Sequence, residues 1–283
     1  MVVVVGAVSI DLVAVREKFL DGTSNPSDIR MGLGGVGWRV FSSLEAPKLF
    51  ITALARDPIS RFAREAMGEE GQVAVQEIGD KEARPPLYLA LMEAGSLKVG
   101  ASDFRIVERG LDLAFVRRRI GRLSAGDFLV LDANLAPPLI ASLVDTYAGA
   151  TRVVFEPVSV EKAARHAAAL HDLFLMSPTV EEMDAIAPGG EEAIASFMKG
   201  RRIANILVTR GRSGTSLYCA PDAGTAARED FAPTSVVVAG DTTGAGDLLL
   251  AHLLSCLHRG MSMREALRSA MEAVESVLGE GAR

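Results

Sequence analysis

Apolar positions follow two alternating patterns along this chain. Short continuous apolar runs predict buried strands over residues 2–5, 49–54, 128–131, 153–155, 173–176 and 206–208. Apolar residues at helical spacing predict helices over 59–67, 111–120, 139–147, 160–170, 193–198, 242–258 and 263–278. Because strands alternate with helices, the pattern predicts βαβ units, a mostly parallel sheet and helices on both of its faces.

Two stretches interrupt this alternation. Residues 12–19 have the pattern of a strand and are followed by the turn-rich residues 21–26. The apolar segments 85–92 and 97–99 flank a short polar turn, which is typical of a hairpin. We expect these segments to form a small β-sheet beside the main domain, placed to close over a ligand and exclude water.

Composition places the chain among ordinary globular proteins. Its 283 residues are 49% hydrophobic and 23% charged, which excludes a disordered chain, a collagen-like repeat and a disulfide-rich mini-protein. The length allows one large α/β domain or two small ones. Neither a linker nor an internal repeat divides the sequence.

Charge and cysteine content exclude several kinds of function. The net charge of −6 argues against binding nucleic acid through counterion release. The two cysteines, Cys219 and Cys256, are too far apart for a zinc motif, and the four histidines lack the His-Glu-x-x-His pattern. The chain lacks an 18-residue apolar stretch and a positively charged start, so we expect neither a membrane span nor a signal peptide. We therefore expect a cytoplasmic location.

The clearest chemical signal is Gly-Asp-Thr-Thr-Gly-Ala-Gly-Asp over 240–247, between a predicted strand at 235–238 and a helix. The small residues Gly244, Ala245 and Gly246 allow close backbone approach, and their N–H groups at a helix N-terminus form an anion site. A carboxylate beside a bound phosphate is unfavourable unless it has a task, so Asp247 is a candidate general base. The alternative is a tight turn with an N-capping Asp.

A second glycine-rich segment covers residues 32–37. It fits G-x-G-x-x-G, but no buried strand precedes it, so a dinucleotide site is not favoured. A Gly34-Gly35 turn that opens a helix over 36–45 and touches a polar ligand fits better, with tight packing as the alternative. Asp11, which follows the first predicted strand, could accept bonds from substrate hydroxyls or cap a turn.

Polar residues also follow the later strands. The strand ends carry Asp132 and Asn134, Glu156, the segment 177–182, and Thr209. Each could be a helix cap, but the carboxyl ends of parallel strands share one edge of a sheet. Acidic groups at the edge that carries the anion site suggest a divalent cation, Mg²⁺ held partly through water.

The segment 241–247 resembles the signature of the PfkB/ribokinase-like carbohydrate and nucleoside kinases, and Gly34-Gly35 is similar to the N-terminal Gly-Gly motif of that family. The order and spacing of motifs fit over essentially the whole chain. Within the family, the pseudouridine kinases show similar segments at 23–26, 88–90, 101–104, 131–135, 157–159 and 162–163.

The resemblance implies one ribokinase-like domain over 1–283, with a three-layer α/β/α core and a small β-lid formed by about 12–31 and 84–104. It implies transfer of the ATP γ-phosphoryl group to the 5′-hydroxyl of a small-molecule sugar or nucleoside, pseudouridine first. The alternatives are a ribokinase-like or adenosine-kinase-like enzyme for another substrate, or a non-catalytic ligand-binding relative. Homodimers through the lid are also implied.

The resemblance also assigns roles to individual residues. Asp247 matches the catalytic base, and the amides of Gly244, Ala245 and Gly246 match the anion hole. Glu182 matches the acidic residue that organises Mg²⁺ through water, and Asp241 lies in the loop near a monovalent cation, expected to be K⁺. The implied substrate contacts are Asp11, Asn25, Gly34, Gly35, Arg39, Asp103 and Asn134, and the implied ATP contacts are Thr209, Gly211, Thr243, Gly244 and Gly246.

Three residues depart from the family pattern. Arg39 stands where the family has an Asn that contacts substrate hydroxyls; a charged, forked donor there either favours a more acidic substrate or points away. Thr179 replaces the Asn before the Mg²⁺-linked Glu. Trp38 either stacks on a base or packs in the core.

Overall fold

A computed structural model describes residues 1–68, 72–220, 227–233 and 244–280. The predicted strand at 235–238 and the predicted site residues Asp241 and Thr243 lie outside these ranges. The strands are β1 (Val2–Val5), β2 (Ser9–Arg16), β3 (Asp28–Gly34), β4 (Lys48–Ala55), β5 (Gln72–Ile78), β6 (Leu87–Glu93), β7 (Ser96–Asp103), β8 (Phe128–Asp132), β9 (Arg152–Glu156), β10 (Leu175–Met176), β11 (Asn205–Thr209), β12 (Thr215–Cys219) and β13 (Ala227–Phe231).

The helices within the same residues occupy the connections that the periodicity predicts. They are α1 (Val36–Ser43), α2 (Pro58–Met67), α3 (Arg105–Gly110), α4 (Leu113–Ile120), α5 (Pro137–Tyr147), α6 (Val160–His166), α7 (Val180–Ile186), α8 (Gly190–Arg201), α9 (Ala245–His258) and α10 (Met263–Glu280). Short 3₁₀ turns cover Ala167–Ala169 and Gly211–Ser213. None of the described helices is both long and apolar enough to cross a membrane.

The large sheet has the strand order β13-β12-β11-β10-β9-β8-β1-β4-β5. All pairings from β5 to β11 are parallel, and β12 and β13 add antiparallel at one edge. The carboxyl ends of the seven parallel strands therefore meet at one edge. This confirms the predicted α/β class with a mostly parallel sheet.

Two apolar clusters, one on each face of the sheet, give the domain three layers. In β1, Val3 and Val5 belong to one cluster and Val2 and Val4 to the other, because successive side chains of a strand point to opposite faces. The first cluster packs against α3 to α8, and the second against α1, α2, α9 and α10. All four valines are fully buried, which explains the continuous apolar run.

A separate four-stranded sheet has the order β3-β2-β6-β7. Strand β2 lies at its centre, antiparallel to β3 and parallel to β6. Asp11 does not simply follow the first strand, as expected, but lies within β2, paired with Gly32 on one side and Tyr88 on the other. This sheet extends from the edge of the main domain where the glycine-rich segment 32–37 enters α1.

Several boundaries differ from the predictions for local reasons. The helix expected over 111–120 begins at Leu113, because the Asp112 side chain caps it by accepting the Phe115 N–H at 2.7 Å. The strand expected over 173–176 is reduced to β10, and the helix expected over 160–170 ends at His166 and continues as a 3₁₀ turn. The helix expected over 36–45 ends at Ser43.

Candidate active site

Asp11 lies at the inner end of the second sheet, buried and held by two donors. Its carboxylate accepts the Ser9 hydroxyl at 2.6 Å and Nη2 of Arg39 at 3.0 Å. Gly34, which pairs with Ser9 on the neighbouring strand, lies next to this carboxylate, and a Cβ on that glycine would fall 1.8 Å from Asp11 Oδ2. Gly34 is therefore required for the Asp11 carboxylate to occupy this position.

Gly35 makes the turn into α1. Its φ of 88° is unfavourable for other residues, and a Cβ there would lie 2.6 Å from the Ala7 carbonyl oxygen. The start of α1 is fixed by Asp132 at the end of β8, whose Oδ2 accepts the backbone N–H groups of Ala7 at 2.8 Å and Gly37 at 3.0 Å. Burial raises the pKa of Asp132, and the hydrogen bond from Ala7 works in the opposite direction.

Arg39 extends from the first turn of α1 into the space between the two sheets. Its Nη2 contacts Asp11, and its Nη1 lies 3.3 Å from where a Cβ on Gly244 would be. Oδ2 of Asp247 is 3.9 Å from the same point. Arg39 therefore does not point away from the site: its guanidinium lies between Asp11 and the catalytic candidate Asp247.

The start of α9 lies on the other side of the Arg39 guanidinium from Asp11. Gly244 is the N-cap residue in the left-handed conformation, with φ 84° and no side-chain cap. The first N–H groups of a helix have no partner within it, so the helix itself does not use those of Ala245, Gly246 and Asp247, which are the groups that an anion can bind at a helix N-terminus. Gly246 is exposed, and a Cβ there would meet no atom within 4 Å. Among the residues that the structure describes, none fills the space next to Gly246 at this end of the helix.

Asp247 is not the cap of this helix, because Gly244 occupies that position. Its carboxyl is buried, and burial raises its pKa to about 7. The positive charge of Arg39 lowers the pKa, and the carboxylates of Asp132 and Glu182 raise it further. A carboxyl group that titrates near neutral pH is suited to accept a proton from a hydroxyl.

Glu156 and Glu182 place more negative charge at the same sheet edge. Burial raises the pKa of Glu156 well above its ordinary value, and the carboxylates of Asp247 and Glu182 add to the effect. Glu182 forms a capping box with Thr179, whose N–H donates to Oε2 of Glu182 at 2.8 Å. Thr179 thus has a structural role where the family usually carries Asn, and burial raises the pKa of Glu182.

The carboxylates at this edge of the sheet suit a cation that binds through its coordinated water molecules. Among the described residues, no three His, Cys, Asp or Glu side chains are placed to hold a metal ion directly. Mg²⁺ commonly binds through one or two carboxylates, retained waters and substrate phosphates. Glu156 and Glu182 fit that mode, since their mutual repulsion would be relieved by a hydrated cation between them.

A cavity of about 470 Å³ lies between the second sheet and the helices α1, α9 and α10. Its polar end is formed by Asp11, Arg39 and Gly244, next to the start of α9. The wall supplied by the second sheet is mostly apolar. The remaining lining residues are Val13, Ser42, Ser43, Tyr88, Ala90, Met92, Leu97, Leu248 and Val277.

The residues expected on the nucleotide side lie farther along the same edge. Thr209 ends β11, forms a parallel bridge with Thr179, and donates its N–H to the Pro178 carbonyl at 2.9 Å. Gly211, with φ 53°, starts the 3₁₀ turn that follows. Neither residue lines the cavity.

Three expected substrate contacts are engaged elsewhere. The Asn25 amide closes its own loop through the backbone of Leu20, at 2.8 Å and 2.9 Å. Asp103 is paired with Arg105. Asn134 is 1% exposed and accepts from Lys162, while its Nδ2 has no partner among the described residues. None of the three lines the cavity, and their roles stay predictions.

Trp38 packs in the core rather than facing the cavity. Its ring lies 5.5 Å from that of Phe41 and 5.7 Å from that of Phe50. Tyr88 does line the cavity, although the sequence analysis assigned it no role of its own. Its placement depends on the register that pairs it with Asp11, which periodicity alone does not define.

Both a family model and a curated protein match this chain over nearly its whole length. A family model described as "pfkB family carbohydrate kinase" matches residues 1–281. The pseudouridine kinase of Escherichia coli (strain K12) is 23% identical over 280 residues, which covers 95% of this chain and 87% of that protein.

Solved structures show the same fold. The ribokinase from Thermotoga maritima superposes with a TM-score of 0.80 at 18% identity, covering 98% of this chain and 92% of that one. The Arabidopsis thaliana ribokinase complexed with ribose and ATP gives a TM-score of 0.74 at 19% identity, covering 98% and 92%.

Proposed function

This chain belongs to the pfkB family of carbohydrate kinases, and from that premise we propose that it transfers the γ-phosphoryl group of ATP to the 5′-hydroxyl of a nucleoside or sugar, first of all pseudouridine. It is a carbohydrate or nucleoside kinase. The observation that carries the proposal is the buried carboxyl of Asp247, in the first turn of α9 and beside the polar end of the cavity.

Asp247 acts as the general base in this mechanism. The acceptor hydroxyl enters beside Asp247 at the start of α9, where its proton passes to the carboxylate as the oxygen attacks the γ-phosphorus. A pKa of about 7 leaves much of Asp247 ionised at neutral pH while keeping it basic enough to take a proton. The N–H groups of Ala245 and Gly246 are already oriented toward the charge that develops on the phosphoryl oxygens.

Asp11 positions the acceptor. Each carboxylate oxygen can accept two hydrogen bonds, so Asp11 can still receive substrate hydroxyls while it holds Ser9 and Arg39. The apolar wall of Val13, Met92 and Leu97 suits the planar face of a base better than a free pentose or hexose. This arrangement, together with the similarity to a protein named pseudouridine kinase, supports a nucleoside acceptor.

ATP would lie near Thr209 and Gly211, farther along the same edge of the sheet. Thr243 is expected to contact the ATP phosphates. A structural neighbour described as a complex with ribose and ATP supports ATP as the donor. Glu156 and Glu182 would hold hydrated Mg²⁺, which when bound neutralises phosphate charge. The loop that contains Asp241 is the proposed position for K⁺.

A second candidate is a kinase of the same family for another sugar or nucleoside. Arg39 favours it, because a charged fork replaces a neutral amide at the acceptor end. The test is product formation, followed by mass spectrometry, with Mg·ATP against pseudouridine, uridine, other nucleosides, ribose and hexoses, with and without K⁺. Product from pseudouridine alone supports the first proposal, and product from another acceptor supports the second. ATP binding without any product would favour a non-catalytic relative.

We also propose a homodimer through the outer face of the second sheet. Strand alternation places Ile29, Met31, Leu89 and Val99 opposite the cavity side, and all four are about half exposed or more. Contiguous exposed apolar patches usually mark contact sites, and a second copy offers the same face. Met31→Glu should shift the molar mass measured by light scattering from dimer to monomer, whereas Val160→Glu on α6 should not. A monomeric wild type would refute the dimer.

A further inference from the structure

We propose that Arg39 is a catalytic residue, whose Nη1 group donates to the γ-phosphoryl group during its transfer. The inference rests on the proposed kinase function and adds a role that the family's Asn at this position is too short and uncharged to fill. It starts from the position of the guanidinium, which lies beside the start of α9 rather than deep in the acceptor cavity.

The orientation of the guanidinium is fixed by its neighbours. Nη2 donates to Asp11 at 3.0 Å, and the Asp11 carboxylate is itself held by the Ser9 hydroxyl at 2.6 Å. Ser9 is fully buried. Because Nη2 of the guanidinium is held by this hydrogen bond, Nη1 points to the other side, next to Gly244.

That side is where the phosphoryl group must pass. Gly244 caps α9, so an anion bound by the N–H groups of Ala245 and Gly246 lies directly over it. Nη1 is 3.3 Å from the Cβ position of Gly244, and Oδ2 of Asp247 is 3.9 Å from the same point. The acceptor oxygen, held at Asp247, and the phosphorus that it attacks are therefore both within reach of Nη1.

The charge of the site gives this contact its importance. The carboxylates of Asp247 and Glu182 raise the pKa of Glu156, and that of Glu182 also raises the pKa of Asp247, so an entering phosphate meets a cluster of acidic groups. A guanidinium stays charged throughout the pH range of proteins and forms two parallel bonds to phosphate oxygens. Arg39 would offset the repulsion at the point where charge builds up on the transferring group.

An anionic acceptor is the competing explanation for an arginine here. It fits less well, because a carboxylate bound to Arg39 from the acceptor side would lie against the Asp11 carboxylate. The rest of the cavity wall is supplied largely by apolar side chains such as Val13, Met92 and Leu97. Nη1, the side of the guanidinium for which the described residues provide no hydrogen-bond partner, thus faces the helix N-terminus and not the acceptor pocket.

In the proposed step, the acceptor oxygen forms a bond to the γ-phosphorus while the bond from that phosphorus to the β-bridging oxygen breaks. The hydroxyl proton moves to Asp247, and ADP leaves with the electron pair. Arg39 stays protonated and only donates hydrogen bonds to the non-bridging oxygens. A positive group at this position is worth about 10²–10³ in rate when it acts as a single oxyanion donor, and arginine fingers contribute more.

The test compares Arg39→Met and Arg39→Lys with the wild type, and uses Arg259→Met as the control for loss of an arginine from the surface. Arg259 lies at the far end of α9, paired with Glu45. Two sets of constants are measured. The first is kcat and both KM values with the accepted substrate. The second is the dissociation constants of ATP and of ADP with aluminium fluoride in the presence of acceptor. The fluoride complex imitates the phosphoryl group in transfer.

We expect Arg39→Met to lower kcat by about 10²-fold or more and to weaken aluminium fluoride binding by a similar factor, while ATP binding changes less than about threefold. Arg39→Lys should retain part of both. A raised acceptor KM with unchanged kcat, or equal losses in ATP and aluminium fluoride binding, would overturn the proposal. If Arg39→Met does not fold, Arg39→Lys decides by the same two sets of constants. A wild type that forms no product from any acceptor refutes the kinase function instead.

Discussion

The Asp132 carboxylate accepts the Gly37 N–H at 3.0 Å, which joins the end of β8 to the first turn of α1 across 95 residues of chain. The same Oδ2 atom accepts the Ala7 N–H at 2.8 Å, and Oδ1 accepts the Asn134 N–H at 2.9 Å. Asp132 thus holds the loop at Ala7, the first turn of α1 and the turn at Asn134 against one another. The direction of α1, and with it the position of Arg39, depends on this buried group.

Removal of this carboxylate should destabilise the protein. Asp132→Ala leaves the buried N–H groups of Ala7 and Gly37 without their acceptor, and each unsatisfied group costs about 1–3 kcal/mol. We expect a loss of about 2–5 kcal/mol in the free energy of unfolding, measured by urea denaturation. Asp127→Ala, which removes a partly exposed carboxylate paired with the N-terminus, is the comparison and should cost less. Equal losses would contradict the role given to Asp132.

Gly34, next to the Asp11 carboxylate, provides a test of acceptor binding. A Cβ at Gly34 would lie 1.8 Å from Asp11 Oδ2, so Gly34→Ala must displace the carboxylate. We expect KM for the acceptor to rise at least tenfold. Gly32→Ala on the same strand is the matched control, because a Cβ there meets no atom of the described residues within 4 Å. An unchanged KM in Gly34→Ala would show that Asp11 does not bind the acceptor.

The pH dependence of the reaction follows from the raised pKa of Asp247. A general base works only when ionised, and burial brings this pKa to about 7. We therefore expect kcat/KM for the acceptor to rise about tenfold per pH unit below pH 7 and to level off above it. Rates measured from pH 5 to 9 with saturating Mg·ATP test this. A flat profile between pH 5 and pH 7 would contradict it.

The same raised pKa means that ionised Asp247 lowers the free energy of unfolding. Between pH 4 and pH 7 the folded chain binds a proton that the unfolded chain has lost, so the contribution of this group to stability falls as pH rises through that range. At pH 8 the full penalty is present, on the order of 2–4 kcal/mol. Asp247→Asn should accordingly raise the melting temperature of the ligand-free protein at pH 8, with a much smaller effect at pH 4.5. A lower melting temperature at pH 8 would refute this.

Much of the fold could be predicted because the local signals agree with the tertiary structure. The valine run of β1 is buried on both faces, so its composition is that of a central parallel strand. The small residues at 244–246 indicate a helix N-terminus open to an anion, and the structure has Gly244 as its left-handed cap. Both signals are contained in a few consecutive residues.

The parts that could not be predicted depend on long-range placement. Whether Arg39 points into the site is decided by Asp132 and Asp11, which lie 93 and 28 positions away in the chain, and no local pattern encodes that. Tyr88 faces the cavity only because β6 pairs with β2 in one register. Asn134 has a typical strand-end position but is buried against Lys162, since α6 packs over it.

The most direct test of the central claim is the rate of phosphoryl transfer by Asp247→Asn. The amide matches the carboxyl in shape but cannot take the hydroxyl proton, so kcat should fall by about 10³-fold or more while ATP affinity stays within about threefold. Arg259→Met, at the other end of the same helix, should turn over like the wild type. A folded Asp247→Asn protein with wild-type kcat would contradict the account.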